Sequence, residues 1–202
     1  MEYVSVACTP ILKMNMKQTK KNILLLPCVL ILTIAGIVAN EKTKEKKAQT
    51  KDSEAIFPAV EAANLEGRKY TLPKDFEGER NILTIAFQRE QQNDIDTWTP
   101  LVKELTGKNS SLHYYELPTI GKFAGMFRGM INGGMRKGIP DINARNATIT
   151  LYLDKASFRK SLKLPDEKRI YILVVDRQGK ILWRNEGIFS KEKGEALAKF
   201  LG

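Results

Sequence analysis

The chain has 202 residues, with 33 lysines and arginines against 23 aspartates and glutamates, for a formal net charge of +10. The basic excess comes with no arginine–aromatic stripe and no nucleic-acid motif, which removes nucleic acid as a partner. One histidine and two cysteines, at positions 8 and 28, leave no side-chain set with metal-ligand spacing, and no cofactor is expected.

The charge is uneven along the chain. Lys17, Lys20 and Lys21 precede an apolar run over 23–39, the pattern of a secretory signal or signal anchor. At about 17 residues the run is at the lower edge of what spans a bilayer. Ile37 is a poor small-residue match for cleavage after Ala39, so cleavage and retention as an anchor both stay open. Met16, just before the basic flank, is an alternative start. Cys28 follows Pro27, which argues against a lipoprotein box and leaves it a small apolar residue of the leader. Residues 41–51 hold five lysines and two acids, a polar tether able to touch an anionic lipid surface. The expected organisation is an extension with signal peptide or membrane anchor over 1–40, a lysine-rich linker over 41–55, and one domain over 56–202. The expected location is outside the cytoplasm, periplasmic or anchored to the inner membrane.

Within the domain, 64–72 suggests a short strand or hairpin before Pro73, and the apolar run 81–88 predicts a buried central strand. Asn93 or Asp94 offers a cap for a helix carrying Ile95, Trp98, Leu101, Val102 and Leu105 at helical spacing, ended by Gly107. A strand over 112–117 is expected to close at Pro118. A helix over 122–137 follows, with Phe123, Met126, Phe127, Met130 and Ile131 on one side and Pro140 beyond it. Then come a strand over 148–153, a short helix over 155–162 and a strand over 169–176. A tight turn at Gly179 leads to an antiparallel strand over 180–184, and Ser190 caps a terminal helix. Parallel neighbours require the intervening helices. This order predicts an α/β, thioredoxin-like three-layer fold with a central mixed sheet and an inserted Gly/Met-rich helix.

An active redoxin keeps its nucleophilic cysteine between the first central strand and the next helix, where the helix N-terminus lowers the thiol pKa. Here that junction reads Phe87-Gln88-Arg89-Glu90-Gln91-Gln92-Asn93-Asp94. Amides and acids cannot carry thiol–disulfide exchange, so redox catalysis is not expected of the domain. Pro165 is the nearest candidate for the proline that thioredoxins place opposite that site, but it reads more simply as a helix terminator. His113 reads as an ordinary polar residue at a strand start.

Two features rise above this background. Gly121, Gly125, Gly129 and Gly133 recur every fourth residue, although each glycine inside a helix costs up to about 1 kcal/mol against alanine. Close backbone approach to a partner would offset that cost, and so would tight packing on the domain's own sheet. The neighbouring methionines and phenylalanines would make an adaptable apolar surface. The second feature runs over 134–145, where Arg136 and Arg145 have the geometry to grip a carboxylate or phosphate. An internal pair, such as Arg136 with Asp141, explains those arginines equally well. The candidate binding residues are Gly125, Gly129, Met130, Gly133, Met135, Arg136, Gly138, Asp141 and Arg145.

Asp96-Thr97-Trp98, Glu116-Leu117-Pro118, the Gly-Met-Arg-Lys-Gly-Ile run at 134–139, Arg145, the Thr-Ile-Thr-Leu-Tyr run at 148–152, and Asp176, Gly179, Trp183 and Gly187 form an ordered series. Together they resemble the mitochondrial ATP synthase assembly factor family often called Atp-ten, over about 57–201. The resemblance implies a thioredoxin fold without redox cysteines, association with the inner membrane, and help in assembling a membrane subunit of the proton-conducting sector. Met135, Arg136, Gly138, Arg145 and Trp183 are the family-like positions, and no catalytic assignment comes with them. The leader departs from this pattern, being export-type and lysine-rich where an import presequence is amphipathic and arginine-rich. It suits a bacterial envelope relative, whose client need not be ATP synthase. The expected function is non-catalytic binding of a membrane protein client or membrane complex subunit. The alternatives are a module for an anionic small ligand held by Arg136 and Arg145, and a non-thiol enzyme using Glu90 or Asp94.

Overall fold

The computed structural model describes residues 55–202, so the expectations for the leader and for the tether up to residue 54 lie outside the described residues. The strands are β1 (Val60–Asn64), β2 (Lys69–Leu72), β3 (Arg80–Ala86), β4 (Leu112–Gly121), β5 (Ile149–Leu153), β6 (Tyr171–Asp176) and β7 (Ile181–Glu186). They form one mixed sheet in the order β2-β1-β5-β4-β3-β6-β7. β3 is parallel to β4 and antiparallel to β6, and β4 is parallel to β5. The helices are α1 (Gln92–Asp96), α2 (Thr99–Lys108), α3 (Arg128–Gly138), α4 (Ile142–Ala147), α5 (Lys155–Leu162) and α6 (Lys191–Leu201), with 3-10 turns at Arg89–Gln91 and Lys122–Phe127.

Every residue of β3 after Arg80 is buried, as expected of a strand whose apolar residues run continuously and face packed layers on both sides. On one face Leu83, Ile85, Tyr115, Leu117 and Leu173 meet Phe158 and Leu162 of α5, with Phe57 and Phe76 from the connections. On the other, Ile82, Ile172 and Val174 meet Ile95, Trp98 and Val102 of the α1–α2 segment and Leu197 of α6. Trp98 is fully buried, and its ring N–H donates to the Gly187 carbonyl at 3.0 Å. Each fully buried aliphatic or aromatic side chain contributes on the order of 2 kcal/mol, which makes these two layers the main stabilising term. The three-layer thioredoxin-like order read from the sequence is the order of the folded chain.

Three local departures have physical causes. The helix expected from Asn93 starts earlier, as the turn Arg89–Gln91, and breaks before Thr99, because Pro100 lacks an N–H and suits the first turn of a new helix. β4 does not stop at Pro118. Its pairing with β3 ends there, at Ala86, and Thr119 to Gly121 are taken up by β5 instead. Asp141 starts α4, which the sequence pattern did not suggest; its carboxylate accepts the Asn143 N–H at 2.8 Å.

Candidate functional site

The junction between β3 and α1 is filled by glutamine. Gln91, only 4% exposed, accepts the Phe87 and Gln88 N–H groups on Oε1 at 2.8 and 3.2 Å. Its Nε2 donates to the Glu167 carbonyl at 2.8 Å, and Gln88 Nε2 reaches the same oxygen at 3.1 Å. The Glu167 carboxylate in turn accepts Lys155 Nζ at 2.6 Å and Arg159 Nε at 3.3 Å. Gln88 and Gln91 thus stand three residues apart, the spacing of a C-x-x-C pair, and bind the loop before β6 through amides that have no redox chemistry. Glu90 is exposed and Asp94 half-buried, and neither lines either of two surface depressions of about 500 and 270 Å³. His113 stands on β4 with Nε2 3.6 Å from Glu77. No cluster of three or more metal-ligating side chains occurs among the described residues.

A carboxylate that the sequence did not single out for chemistry lies nearby. Glu116 points from β4 to the face covered by the α1–α2 segment, in register with Thr84. Burial pushes its carboxyl up to about 7; the Gln92 amide opposes that shift and the Asp96 charge adds to it. On the same face Tyr114 and Thr84 share a hydroxyl–hydroxyl bond of 2.8 Å. An acid inside the apolar alternation of β4 was the available signal, since an acid in a strand covered on both faces is uncommon.

The crossover between β4 and β5 holds the binding candidates, and the structure divides them into three groups. Gly125 turns inward, where a Cβ would meet the Tyr152 side chain at 3.9 Å. Gly129, Gly133 and Gly138 have nothing within 4 Å of that position, so their lack of a side chain serves no packing inside the chain. Met130 is 73% exposed and Met135 half-buried.

Arg136, Asp141 and Arg145 are already engaged. Arg136 grips Glu66 with Nε to Oε1 at 3.2 Å and an Nη to Oε2 at 3.0 Å. Arg145 Nε meets Oε1 at 2.6 Å, while its Nη1 donates to the carbonyls of Ile139 and Pro140, both at 3.0 Å. The hydrogen bond from Arg136, then that from Arg145, holds the Glu66 carboxyl below the usual carboxylate range. Asp141 caps α4 and does not pair with Arg136. The β1–β2 turn that carries Glu66 is itself fixed: Asn64 Oδ1 accepts the Glu66 and Arg68 N–H groups, and Asn64 Nδ2 donates to the Asn146 carbonyl at 3.1 Å. Sequence spacing held no cue for Glu66, because its partners lie 70 and 79 residues away.

Residues 43–202 match the model of a family described as ATP10 protein. No curated protein matches the chain. Among solved structures the chain is similar to BsSco, described as a member of the Sco family of cytochrome c oxidase assembly proteins. That likeness has 16% identity over 75% of this chain and 95% of the other, with a TM-score of 0.53. It is also similar to copper-bound ScoI of Arabidopsis thaliana, at 12% identity over 73% of this chain and 98% of the other, TM-score 0.50. The exposed lipoprotein thioredoxin Etrx1 of Streptococcus pneumoniae is 15% identical over 71% and 98% of the two chains, TM-score 0.46. At these identities the likeness is one of fold, and the fold is thioredoxin-like.

Proposed function

The chain belongs to the ATP10 protein family, and from that premise we propose that it is an assembly factor that binds a protein client during construction of a membrane complex. The domain acts as a thioredoxin-type scaffold without thiol chemistry, exported and either periplasmic or held at the inner membrane by its N-terminal segment. The observation that carries this reading is the open side of α3. Gly129 and Gly133 cost helix stability and face free space, an arrangement that suits close approach by a second backbone. The clamp of Arg136 and Arg145 on Glu66 holds the end of the crossover in position. An anionic ligand would have to displace Glu66 from both arginines, and Glu90 is in open solvent, so neither alternative gains support from the geometry.

The test is photocrosslinking from position 133 in native membranes, with identification of the captured protein. Capture of one membrane-complex subunit, lost on Gly129→Leu with Arg136→Ala, is the expected result. Undiminished capture by that variant would remove the surface assignment.

A further inference from the structure

The stretch 122–138 carries four bases, Lys122, Arg128, Arg136 and Lys137, and no acid. It also presents the three most exposed large apolar side chains among the described residues: Phe123 at 90%, Met126 at 85% and Met130 at 73%. Phe127, at 57%, belongs to the same group. The four recur at intervals of three and four, so they share one side of the helical segment. The opposite side is fastened to β5. There Gly125 rests on Tyr152, the Tyr152 hydroxyl bonds to Asn132 Oδ1 at 2.7 Å, and the Arg128 guanidinium lies 4.7 Å from the Tyr152 ring centroid. The apolar side chains therefore form a protruding ridge on a fixed base. They do not line a groove.

Leaving a Phe or Met side chain in water is unfavourable relative to burying it. The core is complete without these four, so no described residue buries them. A protruding ridge needs no shape-matched receptor if its partner is fluid. Bulky apolar residues on one side, with lysine and arginine interleaved and acids missing, are the composition of an element that lies in a bilayer interface. The charge sign selects anionic headgroups.

We propose that Phe123, Met126, Phe127 and Met130 insert into the interfacial layer of an anionic bilayer, with Lys122 and Lys137 against lipid phosphates. Insertion would set the domain's orientation at the membrane surface and leave the Gly129 and Gly133 side of α3 parallel to it. The proposal stands apart from the client reading, because vesicles without any other protein suffice to test it.

The experiment uses the full chain with single tryptophan reporters, Phe123→Trp and Phe127→Trp, and Ile188→Trp as a control after β7 at the other edge of the sheet. Each is reconstituted into vesicles of phosphatidylglycerol and phosphatidylcholine, or of phosphatidylcholine alone, with brominated acyl chains as quencher. At 123 and 127 the added emission is expected to shift to shorter wavelength and to be largely lost on the anionic vesicles, while the reporter at 188 is unaffected. A Met130→Trp reporter should escape quenching once Phe123→Asp and Phe127→Asp are added. Those two side chains face water in the free domain, so thermal unfolding should not change. Unquenched reporters at 123 and 127, or equal quenching at 188 or on the uncharged vesicles, overturn the proposal. If unquenched positions 123 and 127 instead crosslink to a membrane protein in native envelopes, the ridge belongs to a protein partner.

Discussion

Arg145 Nε donates to Glu66 Oε1 at 2.6 Å and joins the crossover helix α4 to a turn 79 residues earlier in the chain. Arg136 closes on the same carboxylate from the end of α3. One acid therefore ties the end of the Gly/Met segment and α4 to the β1–β2 hairpin.

Removing that charge should loosen the segment without unfolding the domain. Glu66→Gln is expected to speed amide exchange across 136–147 at neutral pH and leave the core strands protected. The wild type should reach the same state in acid. Its folded carboxyl holds a proton less tightly than the ordinary carboxyl at 4.5, so the clamp's contribution is present above 4.5 and is lost as pH falls through the lower folded value. Exchange that coincides for wild type and variant at every pH would show that the clamp does not order the crossover.

Glu116 should behave in the opposite sense. Its folded carboxyl titrates at about 7 against an ordinary 4.5, so the folded state binds the extra proton between those values. Stability is full below 4.5 and declines as pH rises through about 7. Glu116→Gln is expected to match the wild type at low pH and to exceed it at pH 8 by on the order of 2 kcal/mol, read from urea midpoints. A variant that is no more stable than wild type at pH 8 would mean that the charged carboxylate is accommodated at little cost.

The open glycines separate folding from binding. Gly129→Ala and Gly133→Ala each add up to about 1 kcal/mol to the stability of α3, visible as slower amide exchange there. The same substitutions are expected to lower client crosslinking, because each methyl keeps a second backbone away. Gly179 is the contrasting case: its φ is +82 and a Cβ would fall 2.7 Å from Pro73 Cγ, so Gly179→Ala should destabilise the domain.

At the redoxin junction, Gln91→Ala takes away the side-chain acceptor of two backbone N–H groups and one of the two amide donors to the Glu167 carbonyl. With Gln91 buried, a loss of about 2–4 kcal/mol in unfolding free energy is expected by denaturant titration. A loss below about 1 kcal/mol would mean that water replaces the amide and that the plug is not structural.

Much of the architecture was legible from local pattern. The continuous apolar run of β3 and the Asp176-to-Lys180 turn are written in neighbouring residues, and Asp176 Oδ1 accepts the Gln178 and Lys180 N–H groups as a turn of that composition should. Ser190 caps α6 and Asp154 caps α5 for the same reason. The continuation of β4 past Pro118 was not legible, because it depends on β5 taking over the ladder from β3. Nor was the partner of Arg136. Asp141 is close in sequence but its carboxylate is used as a helix cap, whereas Glu66 is brought in by the β1–β2 turn.

By itself the sequence determined the order of the central strands and of the helices around them other than α4, the missing thiol at the β3–α1 junction and the glycine spacing of α3. All of these rest on residue type and on intervals of a few residues. Only the tertiary structure decided which side of each element meets the core and which meets water. It turned Gly125 inward and left Gly129 and Gly133 open, raised Phe123 and Met126 into solvent, and brought Gln91 against Glu167 and both arginines onto Glu66. Those outcomes depend on contacts between residues far apart in the chain, and such contacts exist only once the sheet has formed.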